Sequence, residues 1–164
     1  MSEVTIEPPK VDKFLELCRE IAEFMMANDK ERCFPRHIWD LPKATNFIHY
    51  HFNRKTILFV RDKGEIVGAA VWWKWKKDDL DLNADFAFDE FIPESDPDGD
   101  LYYHSDMVTT DNRASGSMVE IFKKRNPDWE KCEHWMTRLN KKTGKTKRVQ
   151  YTKNFLKFVG RMRK

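Results

Sequence analysis

The chain has 164 residues, 40% hydrophobic and 35% charged, with a net charge of +3. That length fits one domain with its own core, and the balance excludes a disordered chain. Cys18, Cys33 and Cys132 lack CxxC spacing, which argues against a disulfide framework or a zinc site; with no membrane-length apolar run and no signal peptide at Met1-Ser2-Glu3, a cytoplasmic protein is expected.

Val4-Thr5-Ile6 is a short β-prone run that stops at Pro8-Pro9. Val11, Phe14, Leu15, Cys18, Ile21, Ala22 and Met25 recur at helical spacing, which predicts an amphipathic helix of about four turns ending near Asn28-Asp29. Residues 32–42 read as a loop punctuated by Pro35 and Pro42. A second helix is expected over Lys43–Asn53, with Phe47, Ile48 and Phe52 inward. Strands follow at 56–60 and 66–73, joined by the tight turn Asp62-Lys63-Gly64. The small residues Gly68, Ala69 and Ala70 imply that something packs closely on the second of them.

Residues 78–100 are acidic and irregular and read as an insertion, either a loop folded onto the domain or a flap over a site. Leu101–Thr110 reads as a strand and Arg113–Arg125 as a helix with Met118, Ile121 and Phe122 on its apolar side, stopped by Asn126-Pro127. Cys132–Leu139 and Thr146–Thr152 read as a strand pair around the turn at 140–144, and Phe155, Leu156 and Val159 suit a short terminal helix. The whole is an α+β chain, a mixed central sheet in β-α-α-β-β-β-α-β order with helices on both faces.

Charge is segregated. From Asp78 to Asp111 there are twelve acids and no Lys or Arg; from Ile121 to Lys164 there are fifteen Lys or Arg and three acids. The two stretches either solvate and neutralise each other, or the basic end, 131–164, meets an anion such as nucleic acid or a phosphorylated cofactor.

One junction carries the materials for chemistry. A strand ending at Val108, Thr109 and Thr110 runs into a polar loop that opens the helix at Arg113-Ala114-Ser115-Gly116-Ser117-Met118. Unpaired N–H groups at a helix start can hold a phosphate or pyrophosphate; Gly116 permits close approach, Ser115 and Ser117 add hydroxyls, and Arg113 adds charge.

On these residues and this element order the chain resembles the GNAT superfamily, the Gcn5-related N-acyltransferases. The family's acyl-CoA loop runs Arg/Gln-x-x-Gly-x-Gly/Ala, and Arg113 and Gly116 stand at its first and fourth positions, with Met118 at the last. The resemblance implies a single GNAT-like domain over 1–164 that uses acetyl-CoA or a related thioester. Arg113, Ala114, Ser115, Gly116, Ser117 and Met118 would take the pyrophosphate, and Val108, Thr109 and Thr110 would pair with the pantetheine arm through their backbone. Phe155–Arg161 echoes a late family pattern, with Leu156 where a tyrosine often stands. The chain is also similar to the toxin-activating lysine acyltransferase branch and to small phage-encoded members, which adds a virion or host cytoplasm to the expected locations.

Amine attack on a thioester needs a proton removed. His104 and Asp106 lie on the strand that leads into the loop, two apart and so expected on one face, and are the candidate catalytic pair. His49 and His51 are rivals on the acceptor side, and His37 sits in a loop. His49 and His51 do not share a helix face, so no two-histidine metal site is expected. Residues 94–100 resemble half a calcium loop but have Ser105 where the bidentate Glu belongs, so no metal is expected. The acidic stretch suits a cationic acceptor, a protein lysine or a polyamine. Two other functions stay open. One is a non-catalytic structural or binding protein on the same fold. The other is nucleic-acid binding through Arg138, Lys141, Lys142, Lys145, Lys147 and Arg148, with Trp135 and Tyr151 interleaved.

Overall fold

The computed structural model describes residues 12–28, 40–79, 95–139, 142–143, 146–150 and 152. Helix α1, Lys13–Asn28, buries Cys18, Ile21, Ala22 and Met25, four of the residues whose spacing predicts it. Its start is fixed by Asp12, whose carboxylate accepts the Phe14 N–H at 3.0 Å. Helix α2, Leu41–Arg54, begins two residues earlier than the sequence predicts. Asp40 is its N-cap, accepting the Lys43 N–H at 2.9 Å, and Pro42 falls in the first turn, where its missing N–H costs nothing. Lys55, with φ 59°, closes α2 by donating its N–H to the carbonyls of His51 and Phe52.

Strands β1, Ile57–Asp62, and β2, Glu65–Trp75, form the predicted hairpin. Lys63 and Gly64 both have positive φ, 52° and 83°, the two-residue turn that matches strand twist. Strand β3, Leu101–Thr109, pairs antiparallel with β2, and helix α3, Asn112–Arg125, follows it. Strand β4, Glu133–Leu139, returns parallel to β3, and β5, Thr146–Gln150, pairs antiparallel with β4. The sheet order is β1-β2-β3-β4-β5. The mixed sheet and the α-α-β-β-β-α-β succession from α1 onward are the α+β class expected. The predicted strand at Val4–Ile6, the terminal helix near Phe155–Val159 and most of the acidic insertion lie outside the described residues. None of the described helices is long and apolar enough to cross a membrane.

Alternation along the strands divides the core between the two faces of the sheet. On one face α1 and α2 cover Ile57, Ile66, Ala69, Val71 and Val108. On the other α3 covers Leu58, Trp72 and Tyr102 with Ala114, Met118, Val119 and Phe122. Gly68 lets α3 approach: a Cβ there would stand 2.5 Å from Met118 Sδ and 3.4 Å from Ala114 Cβ. The small residues of β2 thus do meet a close neighbour. A third cluster, Trp73, Trp75, Leu101 and Tyr103, fills the end of the sheet on the α2 side. Residues 95–100 lie along the end of β2, with the Asp96 N–H on Lys74 O at 2.7 Å and the Asp100 N–H on Trp75 O at 3.0 Å.

Candidate functional site

Strand β3 is not regular. Val71 stands opposite Asp106 and Trp72 opposite His104, so Ser105 is an extra residue, a β-bulge. Its hydroxyl is anchored on Val71 O at 3.3 Å and donates to Asp106 Oδ2 at 2.9 Å. Directly opposed residues share a face, and Val71 and Trp72, being adjacent, point to opposite faces. Asp106 therefore lies with Val71 and Val108 on the α1/α2 face, while His104 lies with Trp72 on the α3 face. The expectation that His104 and Asp106 share a face is overturned by this one-residue slip in parity.

The bulge also marks where the sheet opens. The ladder between β3 and β4 runs from Leu101↔Glu133 to His104↔Met136 and ends there among the described residues, although β3 continues to Thr109 and β4 to Leu139. Beyond the bulge the Thr110 N–H bonds Val67 O at 2.9 Å. Antiparallel pairs alternate, so Val108 and Thr110 turn their backbone groups to β2, and Met107 and Thr109 turn theirs toward the β4 side. Of the three residues expected to pair with an extended ligand, only Thr109 is oriented for it. Met107, which sequence reasoning passed over, is the other and is 50% exposed.

The helix start differs from the predicted loop as well. Helix α3 begins at Asn112, with Asp111 as N-cap. The Asp111 carboxylate accepts the Arg113 N–H at 2.8 Å and pairs with the Arg113 guanidinium at 3.2 Å. Arg113 holds the Asp111 carboxyl below the usual range, first through its backbone N–H. Only the first turn of a helix has N–H groups to spare, so those of Gly116, Ser117 and Met118 are spent inside α3. Ala114 and Met118 are buried against Gly68; Arg113 and Ser117 are exposed, and Ser115 and Gly116 half-buried. The start of α3 is largely satisfied from within: the Asp111 N–H donates to Thr109 Oγ1, the Arg113 N–H to the Asp111 carboxylate and the Ala114 N–H to Asp111 O.

His104 belongs to a buried relay that the sequence did not announce. His134 Nε2 lies 2.7 Å from Trp129 O, and a carbonyl only accepts, so that nitrogen carries the proton. Neutral His134 then accepts at Nδ1 from His104 Nε2, 2.8 Å away, and the two rings stack at 5.1 Å. Burial, reinforced by His134, holds His104 well below the ordinary histidine range, and burial also lowers His134. With Nε2 donating, Nδ1 is the acceptor nitrogen of His104, and the residue lines a small apolar pocket of about 40 Å³ with Ala70, Met107, Met118 and Phe122. His51, the rival, is fully buried, with Nδ1 2.7 Å from Thr56 Oγ1; burial and then the Arg54 charge push it down to about 3. His49 lies against Phe14 and within 3.3 Å of Asn53 Nδ2. His37 is outside the described residues.

At the other end of β3 a larger cavity opens on the α3 face, about 560 Å³ in volume. Along its wall Asp128 accepts from Lys74 Nζ at 2.6 Å and from the Tyr102 hydroxyl, and takes the Cys132 thiol at 3.5 Å. Burial, then the Asp128 charge, raises the Cys132 thiol to about 11, so it is not a nucleophile at neutral pH.

The basic hairpin forms as β4–β5, with Arg138 opposite Lys147 and Thr137 opposite Arg148. Lys142 is exposed in its turn, and Lys141 and Lys145 lie outside the described residues. In the half calcium loop Asp96 and Asp100 are engaged by the Asp98 and Lys77 N–H groups. Among the described residues no three His, Cys, Asp or Glu cluster as a metal site.

No protein-family model matches the chain, and no curated protein matches it significantly. Among solved structures it is similar to an N-acetyltransferase from Staphylococcus aureus Mu50. The two share 11% identity with a TM-score of 0.46, over 90% of this chain and 85% of that one.

Proposed function

We propose that this chain is a GNAT-type N-acyltransferase that takes acetyl-CoA or a related thioester and an amine acceptor. The observation that carries the reading is the opening between β3 and β4: a bulge at Ser105, a ladder that ends at His104↔Met136, and backbone groups of Met107 and Thr109 turned into the gap. An extended arm with amide groups can pair there as an added strand would. The bulge puts His104 on the α3 face of the sheet and Asp106 on the α1/α2 face, where it is buried. In transfer the amine nitrogen bonds the acyl carbon, the carbon–sulfur bond breaks, and the proton passes from the nitrogen to the departing thiolate. His104, in the wall of the small pocket beside Met107, is the titratable group nearest the gap on that face. The acidic stretch between Asp78 and Asp111 favours a cationic acceptor, a lysine side chain or a polyamine.

A second reading, a binding protein on this fold without transfer, is favoured by two observations. Asp111 places a carboxylate where a pyrophosphate would sit, and His104 is held too far down to be a strong base. Thermal unfolding with acetyl-CoA, paired with a product assay on lysine peptide and spermidine, separates the two. At a hundredfold excess over Kd the thioester adds about 2.7 kcal/mol of stability, a rise in Tm of roughly 5–10 °C for this size. Met107→Pro removes one gap-facing N–H and should abolish that rise while the variant still folds. No shift at millimolar acetyl-CoA, or an equal shift in folded Met107→Pro, refutes the proposal; a shift without product selects the second reading.

A further inference from the structure

The 560 Å³ cavity at the start of β3 lies off the gap faced by Met107 and Thr109 and shares Trp72 with the smaller pocket at His104. Tyr102 in its wall is seven residues from Thr109, so roughly 24 Å of extended strand separates it from the mouth of α3. Its volume is that of ordinary small-molecule sites. Five separate segments converge on it. The end of α2 brings Arg54 and Lys55, β2 brings Trp72 and Lys74, and β3 brings Tyr102. The approach to β3 brings Ser95, and the end of α3 with the turn after it brings Arg125 and Asp128.

The wall thus holds four cations and a single carboxylate. Asp128 binds Lys74 Nζ at 2.6 Å and the Tyr102 hydroxyl, so Lys74 is fixed and largely neutralised. Lys55 and Arg125 supply positive charge beside it, while the Arg54 guanidinium lies 3.4 Å over the Tyr50 ring. Arg125 is pinned by one nitrogen, donating Nη1 to Ile57 O at 2.5 Å, which holds its planar fork in place. Lys55 sits past the end of α2 in the left-handed conformation, exposed at the mouth. Basic residues commonly close helix C-termini, and Arg54 and Arg125 do so here. Dipole complementation does not call for Lys55 and Lys74 as well, or for a shared cavity with an aromatic floor of Trp72 and Tyr102.

We propose that this cavity binds a phosphorylated small molecule of nucleotide size, its phosphate held by Lys55 and Arg125. A guanidinium held in place and an ammonium suit a phosphate dianion, and the remaining volume is several times what the anion alone would fill.

Isothermal titration of the full chain with uridine 5′-monophosphate and with inorganic phosphate tests this. The expected result is binding of the nucleotide tighter than about 1 mM, with inorganic phosphate weaker and both weakened by added salt. Lys55→Gln and Arg125→Gln should each weaken nucleotide binding at least about tenfold, the loss of a charge-assisted bond, while Arg113→Gln at the far end of β3 leaves it unchanged. Should Arg125→Gln fail to fold, exposed Lys55→Gln alone decides. No heat at about 10 mM nucleotide, or binding untouched by Lys55→Gln, overturns the proposal. Acetyl-CoA binding stays at the wild-type level in Lys55→Gln; a parallel loss there would make the cavity part of the acyl-CoA site and overturn the proposal.

Discussion

Acid should unfold this protein through its buried histidines, and His51 sets the scale. The ring is fully buried on α2, edge-on to Trp73 at 4.5 Å and to Phe47 at 4.6 Å. Burial, with a smaller push from the Arg54 charge, lowers its pKa from 6.5 to about 3. In the unfolded chain the imidazole takes its proton near the ordinary value, whereas in the folded chain it refuses until about 3. Below the ordinary value the unfolded state therefore binds more protons, and stability falls as the pH falls. At 1.36 kcal/mol per pH unit, descending about 1.5 units, to about pH 5, costs about 2 kcal/mol from this residue alone. That is a large part of a total of roughly 5–15 kcal/mol, and His104 and His134 add loss of the same sign. Urea unfolding of the wild type and of His51→Gln at about pH 8 and about pH 5 measures it. The variant starts less stable, but its loss between the two pH values should be smaller by about 2 kcal/mol. Equal losses in the two proteins would show that His51 protonates in the folded state and would refute the reasoning.

Gly99→Ala should destabilise by about 1–3 kcal/mol in the same urea assay, the range for overpacking. The new Cβ would stand 2.6 Å from Trp75 O, 2.7 Å from its carbonyl carbon and 2.8 Å from its N, all backbone atoms of a strand that cannot yield. A cost below about 0.5 kcal/mol would mean that residues 95–100 are loosely held. Asp111→Asn keeps the cap of α3 and removes its charge, so stability should change by less than about 0.5 kcal/mol. Under the proposed function, acetyl-CoA affinity should rise severalfold by titration calorimetry, because the variant removes a negative charge from the start of α3. An unchanged affinity would place the pyrophosphate away from α3.

Local signals were the legible ones. The apolar period from Phe14 to Met25 marks α1, the Lys63-Gly64 turn marks the first hairpin, and Asn126-Pro127 ends α3. The small run Gly68-Ala69-Ala70 announced a close neighbour, though not that Met118 and Ala114 would be it. What sequence could not show was set by pairing across the sheet. A strict two-residue alternation puts His104 and Asp106 on one face; only the register against Val71 and Trp72 reveals the extra residue between them. His134 escaped notice because its partner His104 is thirty residues away and each looks ordinary alone. The Lys74–Asp128 pair is separated by fifty-four residues and is invisible for the same reason. Reading the phosphate loop as Arg113–Met118 leaves Asp111 without a role, although an Asp immediately before a helix is among the preferred caps.

The hairpin that closes the sheet has a consequence for how copies of this chain meet. Among the described residues β5 is the outermost strand next to β4, and an outer strand offers a free row of N–H and C=O groups to any passing strand. Its sequence, Thr146-Lys147-Arg148-Val149-Gln150, places two cations in five residues, and Lys142 sits in the turn before it. Two such edges repel when they approach, so the basic hairpin acts as a guard against edge-to-edge aggregation whatever else it binds. Salt or a polyanion that screens this charge lowers the guard, and concentrated solutions should then self-associate through β5 before the fold itself is lost.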